Sequence, residues 1–337
     1  MPRTPATRRA FLATGGSLAA GTLLAACSGG TGSGDGRPAS GGWSFTDDRG
    51  ETVERDSVPE RIVAYVGSAA ALHDYGVACV GVFGPTLLAN GEPDVQAANL
   101  DVGELTVVGN AWGEFNVETF AGLEPDLLVT PIHDTPELWY VPPEVSDEVN
   151  GLAPAVAIHS VDTPLSAVID RYAELAGALG GDLGAPAVTT AKTRFTEAAE
   201  ALRRATRDNP GLRVLAVPAT DDMVWFASPD RLSDLSYYRE LGVELISPGE
   251  PDGDIFATAS WENVDTHPAD LILVDQRTSN LQPDQLAATK PTWAALPAVR
   301  AGQVASWNPE PTHSHAGCAP ALEALADAIR NATRLDD

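Results

Sequence analysis

TPLSAVIDRYAELAGAL, residues Thr163–Leu179, is followed after a few residues by AVTTAKTRFTEAAEALRRATR, residues Ala187–Arg207. No strand-like run separates the two. In both, apolar residues recur every three or four positions among Ala, Leu, Glu and Arg, the pattern of amphipathic helices. Thr163-Pro164 reads as a helix start, and Asn209-Pro210-Gly211 stops the second helix. No Gly/Ser hinge interrupts the pair, so this stretch reads as a stiff spine between two halves of the chain.

On either side of it, short apolar runs alternate with helical patterns. The first half offers strands at Arg61–Tyr65, Ala78–Phe83, Leu127–Thr130 and Val156–His159. The second half offers Arg213–Val217, Met223–Phe226, Leu271–Val274 and Gln303–Trp307. Helical patterns lie between them at Ser68–Tyr75, Val117–Gly122, Ser233–Leu241 and Trp261–Val264. Buried strands connected through helices form parallel sheets covered on both faces. The expected fold is therefore α/β: two lobes, 43–163 and 186–335, of mainly parallel sheets flanked by helices, joined by one long rigid helix over 164–185.

The chain of 337 residues carries 47 Asp+Glu against 21 Lys+Arg, a formal charge of −26, which argues against any nucleic-acid partner. With 44% hydrophobic and 20% charged residues it has the balance of a folded protein. Its 3 cysteines are too few for a disulfide-built scaffold.

The first residues read as an address. Thr7-Arg8-Arg9-Ala10-Phe11-Leu12 opens a twin-arginine export signal, and the apolar stretch Ala13–Ala26 is too short and too rich in glycine to span a bilayer. It ends in Leu24-Ala25-Ala26-Cys27, which resembles the bacterial lipobox. The reading is a signal peptide over 1–26, lipidation of Cys27, and a flexible tether over 27–42. That places a folded body on the extracytoplasmic face of the cell membrane, held there by lipid.

Four segments carry a family resemblance: Pro59-Glu60-Arg61-Ile62-Val63; Asn116-Val117-Glu118 with Leu123-Glu124-Pro125-Asp126-Leu127; Trp261-Glu262-Asn263-Val264 with Pro268-Ala269-Asp270-Leu271; and Trp293-Ala294-Ala295-Leu296-Pro297 through Val304. In this order they resemble the helical-backbone substrate-binding proteins of ABC importers for ferric siderophores, haem and cobalamin. The resemblance covers about residues 50–310. It implies two α/β lobes on a long helix, little hinge closure, a ligand in the cleft between lobes, and delivery to an ABC permease and its ATPase. It also implies that Glu118 and Glu262, one per lobe at the start of a helix, dock permease arginines. The body is expected to be a monomer without a covalent cofactor beyond the lipid, its ligand a ferric siderophore.

Strand ends that face such a cleft carry Tyr65, Asn110-Ala111-Trp112, His133, His159, Trp225 and Trp307, and aromatic rings there suit a large chelate. Arg277 follows the strand Leu271–Val274, where it could hold chelate oxygens or simply pair with Asp275 or Asp284. Arg231, Tyr237 and Tyr238 lie on the next helix expected to face the cleft. The absence of a basic cluster favours a neutral or cationic hydroxamate chelate over a tris-catecholate. Haem and cobalamin are the nearest alternatives. Direct zinc or manganese binding would call on His133, His159, His313 and His315, although no His pair has the spacing of a helical metal motif; His73 reads as packing or surface. Cys79, read as lying within a strand, and Cys318, at the start of the last helix, could pair or remain two thiols. An exported hydrolase is the reading from another class. No nucleophile elbow, phosphate loop or Ser-x-x-Lys occurs in a usable context, and paired acids are too common here to mark a glycosidase site.

Overall fold

The computed structural model describes residues 42–133, 137–249 and 255–335. The twin-arginine leader, Cys27 and the tether as far as residue 41 lie outside the described residues. No helix among the described residues is long and apolar enough to cross a membrane.

An antiparallel hairpin of β1 (Trp43–Thr46) and β2 (Thr52–Arg55) precedes the first sheet. Then come β3 (Ile62–Tyr65), α1 (Val66–Asp74), β4 (Gly81–Phe83), β5 (Thr106–Gly109), α2 (Val117–Gly122), β6 (Leu127–Ile132), α3 (Pro143–Leu152) and β7 (Ala155–His159). These strands form a five-stranded, wholly parallel sheet in the order β5-β4-β3-β6-β7. The spine follows as α4 (Leu165–Ala178) and α5 (Pro186–Asp208). The second half contains β8 (Arg213–Val217), β9 (Val224–Ala227), α6 (Ser233–Glu240), β10 (Glu244–Leu245), β11 (Phe256–Ala259), β12 (Leu271–Asp275), α7 (Pro283–Thr289), α8 (Pro291–Ala295), α9 (Pro297–Arg300), β13 (Val304–Trp307) and α10 (His315–Asn331). Its main sheet is again parallel, in the order β10-β8-β12-β13, with β9 and β11 pairing antiparallel beside it.

Successive residues of a strand point to opposite faces, and both sheets are covered on both. Ile62 and Ala64 of β3 enter one core while Val63 and Tyr65 enter another. Val214 and Ala216 of β8 likewise oppose Leu215 and Val217. This is why the strands read as unbroken apolar runs rather than alternating ones.

The spine differs in detail from one helix over 164–185. The pattern at Thr163–Leu179 forms α4, which stops at Ala178. Gly180, at φ 91°, donates its N–H to Gly177, and the N–H of Gly181 reaches back to Ala176 at 2.8 Å. A Cβ on Gly181 would stand 2.7 Å from the Tyr75 carbonyl, so the turn packs against α1's end where no side chain fits. The 23-residue α5, roughly 35 Å long at 1.5 Å per residue, is the longer span. It buries Val188 in a core of the first lobe and Phe195, Ala199 and Leu202 in a core of the second. Arg194 of α5 clasps Glu323 of α10 with two bonds of 2.7 and 2.8 Å.

Two smaller expectations change, and of the two alternatives left open for the cysteines one is found. Cys79 precedes β4, which begins only at Gly81, so it lies outside any strand. Trp261–Val264 is a single 3-10 turn, Trp261–Asn263. Both described cysteines, Cys79 and Cys318, are free thiols, and burial pushes each up to about 12.

Candidate functional site

The C-terminal ends of β3, β6, β7, β12 and β13 converge on a cavity between the two sheets, the place where open α/β sheets hold ligands. Its floor is a charged knot. Asp275 closes β12, and the Arg277 N–H returns to its Oδ1 at 2.9 Å, which folds the arginine side chain back over the strand end. The guanidinium then grips Asp275 through Nε at 3.0 Å and Nη2 at 2.6 Å, while Nη1 reaches Glu310 Oε1 at 2.5 Å. Glu310 follows β13 between Pro309 and Pro311, and its N–H is anchored on Asn308 Oδ1 at 3.0 Å.

The other carboxylate oxygen of Glu310 crosses to the first lobe. It accepts the Tyr65 hydroxyl, Gln96 Nε2 at 3.3 Å and Trp139 Nε1 at 3.3 Å. Thr278 donates to Asp94 across the same seam at 2.6 Å. Burial pushes the Glu310 carboxyl up, but the Arg277 charge, the Tyr65 hydroxyl and His133 outweigh it and hold the group below the usual carboxylate range. Burial and then the Glu310 charge drive Tyr65 well above an ordinary phenol. Burial also raises Asp275, against the pull of Arg277. For Arg277 itself, desolvation is overcome by the Glu310 and Asp275 charges, and its pKa rises.

Rings line the first lobe's side. Tyr65 packs at 5.3 Å from Tyr140, and His133 lies 4.0 Å from Trp139. The Tyr65 ring lies over Gly84, where a Cβ would come within 2.5 Å of it, so a side chain there would drive Tyr65 off the floor. His313 lines the seam, stacked on Tyr172 at 5.8 Å, and burial lowers its pKa to about 4, so it is neutral near pH 7.

Of the residues singled out in the sequence, Tyr65, His133, Arg277 and His313 line this cavity. Trp112 does not: it is 60% exposed and packs outside it against Trp139 and Tyr140, at 5.1 and 5.2 Å. Trp307 is turned into the second lobe's core by strand alternation, where its Nε1 donates to Asp234 at 2.6 Å. Tyr237 stacks on Phe195 of the spine at 5.7 Å, and Tyr238 is buried in the same core. Trp225 sits in β9 opposite Thr258 of β11. Arg231 pairs with Asp162 at 2.7 Å. None of these four positions (Trp225, Arg231, Tyr237, Trp307) is among the described lining residues.

His159 ends β7 with its N–H on Asp48 Oδ2, and His315 packs edge-on to Phe195 at 5.3 Å. Among the described residues no group of three His, Cys, Asp or Glu is placed to hold a metal ion. Glu118 and Glu262 are both exposed, each in the first turn of a short helical segment.

Sequence reasoning missed Glu310 and Trp139, whereas the pairing of Arg277 with Asp275 was one of its two readings of that arginine. Glu310 was open to the rule that selected Arg277, since it follows β13 as Arg277 follows β12.

Comparison with known proteins fits this geometry. The family model for periplasmic binding proteins matches residues 63–311. Among solved structures, the chain is similar to DesE, a ferric-siderophore receptor protein from Streptomyces coelicolor. The two share 48% identity, with a TM-score of 0.85 over 87% of this chain and 100% of that one. The fold is shared with petrobactin-binding YclQ from Bacillus subtilis (14% identity, TM-score 0.67, 86% and 99% covered). It is shared too with SirA from Staphylococcus aureus, solved with staphyloferrin B (19%, 0.60, 86% and 98%). No curated protein sequence matches the chain. A cleft between two parallel sheets on a helical spine, under a family model that spans most of the sequence, makes this chain a member of the periplasmic binding protein family, an ABC-importer substrate-binding protein and not an enzyme.

Proposed function

We propose that the protein captures a ferric siderophore, of hydroxamate type, in the cleft floored by Arg277 and Glu310 and delivers it to an ABC permease. The observation that carries this is the likeness at 48% identity to a ferric-siderophore receptor along that receptor's whole length. The cleft's rings and its shortage of uncompensated positive charge support the hydroxamate preference over a tris-catecholate. Tyr65, His133 and Arg277 are the sequence-derived contacts that this reading retains, with Trp139 added.

Titration of the purified domain, followed by tryptophan fluorescence, tests it. Ferrioxamine should quench saturably at submicromolar concentration, while ferric catecholates, haemin, cobalamin and zinc should not. Saturation by haemin or zinc in place of ferrioxamine would overturn the reading.

Docking to the permease rests on Glu118 and Glu262, whose exposed carboxylates at the start of helical turns are free to meet cationic partners. Glu118→Arg with Glu262→Arg should abolish uptake in cells and leave ferrioxamine affinity unchanged; a large loss of affinity would refute a docking role. Export by the twin-arginine route and lipidation of Cys27 would hold the body, as a monomer, at the outer face of the membrane. Cys27→Ser should then release it from the membrane fraction.

A further inference from the structure

The feature left unexplained by a generic chelate pocket is that its floor donors are already engaged by the protein. Arg277 is the one arginine or lysine among the described residues that line the cleft. Its guanidinium meets two carboxylates, Asp275 at 2.6 Å and Glu310 at 2.5 Å. Glu310 also takes the hydroxyl of Tyr65 and the side-chain N–H groups of Gln96 and Trp139. Two acid side chains share one guanidinium in the floor, with His133 another lining group that favours the Glu310 charge, and Glu310 shows 14% of its side chain to solvent.

We propose that Glu310 is the residue that sets the charge of the chelate this cleft accepts, excluding anionic ferric complexes and favouring cationic ones. The inference rests on the siderophore reading above and deepens it. An anionic chelate needs the donors that Glu310 occupies. To reach Arg277 it must displace a buried carboxylate and leave it without its cation and its three other donors, and a buried charge stripped of partners is costly. A neutral chelate makes no such demand, since it can lie against the rings of Tyr65 and Trp139. A chelate with a free ammonium group gains attraction to the Glu310 carboxylate. Discrimination thus comes from a repulsive element built into the site as well as from attractive contacts.

The test is Glu310→Gln, which removes one charge and keeps the side chain's size, titrated with three iron complexes. These are ferrioxamine B, which carries a free ammonium; ferrioxamine E, its uncharged cyclic relative; and ferric enterobactin, a trianionic tris-catecholate. The variant should bind ferrioxamine B about tenfold more weakly and ferric enterobactin about tenfold more tightly, the scale of roughly 1.4 kcal/mol per decade. Ferrioxamine E should move by less than about threefold. Glu310→Asp, which restores the charge, should restore the parent's order of preference.

A structural role alone would shift all three affinities in the same direction, and that result would overturn the proposal while leaving the siderophore reading intact. A parent chain that prefers ferric enterobactin would overturn it as well. A parent that binds none of the three would instead overturn the siderophore reading itself, and the proposal with it.

Discussion

On the side of the first sheet the cleft is walled by the rings of Tyr65, His133 and Trp139, with Tyr140 packed against Tyr65 and Trp139 at 5.3 and 5.5 Å. On the side of the second sheet it is walled by charge, with Asp275, Arg277 and Glu310 joined at 2.5–2.6 Å. Both walls stand at the carboxyl ends of parallel strands, so the fold dictates where the cleft lies but not what it is made of. The ring wall is mostly a loop: Trp139 and Tyr140 come from the connection between β6 and α3, and only Tyr65 ends a strand. The charged wall is two tight returns placed directly after β12 and β13, each pinned by a backbone N–H on an Asp or Asn side chain. A wall of the second kind is preorganised and should be stiff. A wall of the first kind can adapt to a ligand's shape.

The largest effect that would break this contrast is loss of Arg277. Arg277→Ala would leave Asp275 and Glu310 as two buried, adjacent carboxylates without their cation, and breaking a buried pair in this way costs about 3–5 kcal/mol. The expected result is a fall of that size in unfolding free energy, read from urea denaturation. The exposed pair Arg194–Glu323, on the outside of the spine, is the control: solvent screens it, and its removal should change the unfolding midpoint far less. Comparable losses at the two sites would mean that the knot is solvated and the charged wall is not a unit.

His313 lies where the walls meet, on the loop after Glu310 and stacked on Tyr172 of α4. Burial holds its pKa at about 4, against about 6.5 when unfolded, with Glu310 opposing that shift and His133 adding to it. A group whose folded pKa is depressed contributes stability that is present above its unfolded value and lost as pH falls. Acidifying from pH 6.5 toward pH 4 should therefore remove roughly 3 kcal/mol through this residue. Asp234, raised to about 7 by burial, acts in the opposite sense over an overlapping range, losing stability as pH rises. The informative quantity is thus the difference between the parent and His313→Gln in unfolding free energy across pH 4–7. The variant should lose less stability than the parent on going from pH 6.5 to pH 4, and a difference that does not change with pH would mean that His313 is solvated and protonates freely in the folded chain.

The two walls were also unequally legible. The strands, the alternation of lobes and the helical spine follow from apolar runs and three-four spacing, and the strand-end rule led directly to Tyr65, His133 and Arg277. The same rule failed at Trp307 and Trp225 because it locates a residue along a strand without saying which face it takes. At Trp307 the answer is the core beneath α6, where Asp234 accepts its indole N–H. Trp139 and Tyr140 were illegible because a loop places them. Glu310 was legible by its place just after β13, but as one acid among 47 nothing in the sequence tied it to Arg277.

The smallest expected effects separate two tryptophans that are neighbours in space. Trp139 lines the cavity and touches Glu310, whereas Trp112 lies behind it, 5.1 Å away and 60% exposed. An aromatic anchor at the centre of a binding site contributes about 1.5–3 kcal/mol, and one at the rim contributes little. Trp139→Ala should therefore weaken ferrioxamine binding by about 10–100-fold, and Trp112→Ala by less than about threefold. Equal losses would mean that Trp112 folds over the ligand once it is bound, which would extend the ring wall outward to the mouth of the cleft. A loss confined to Trp112 would reverse the assignment and return Trp139 to a packing role beside His133.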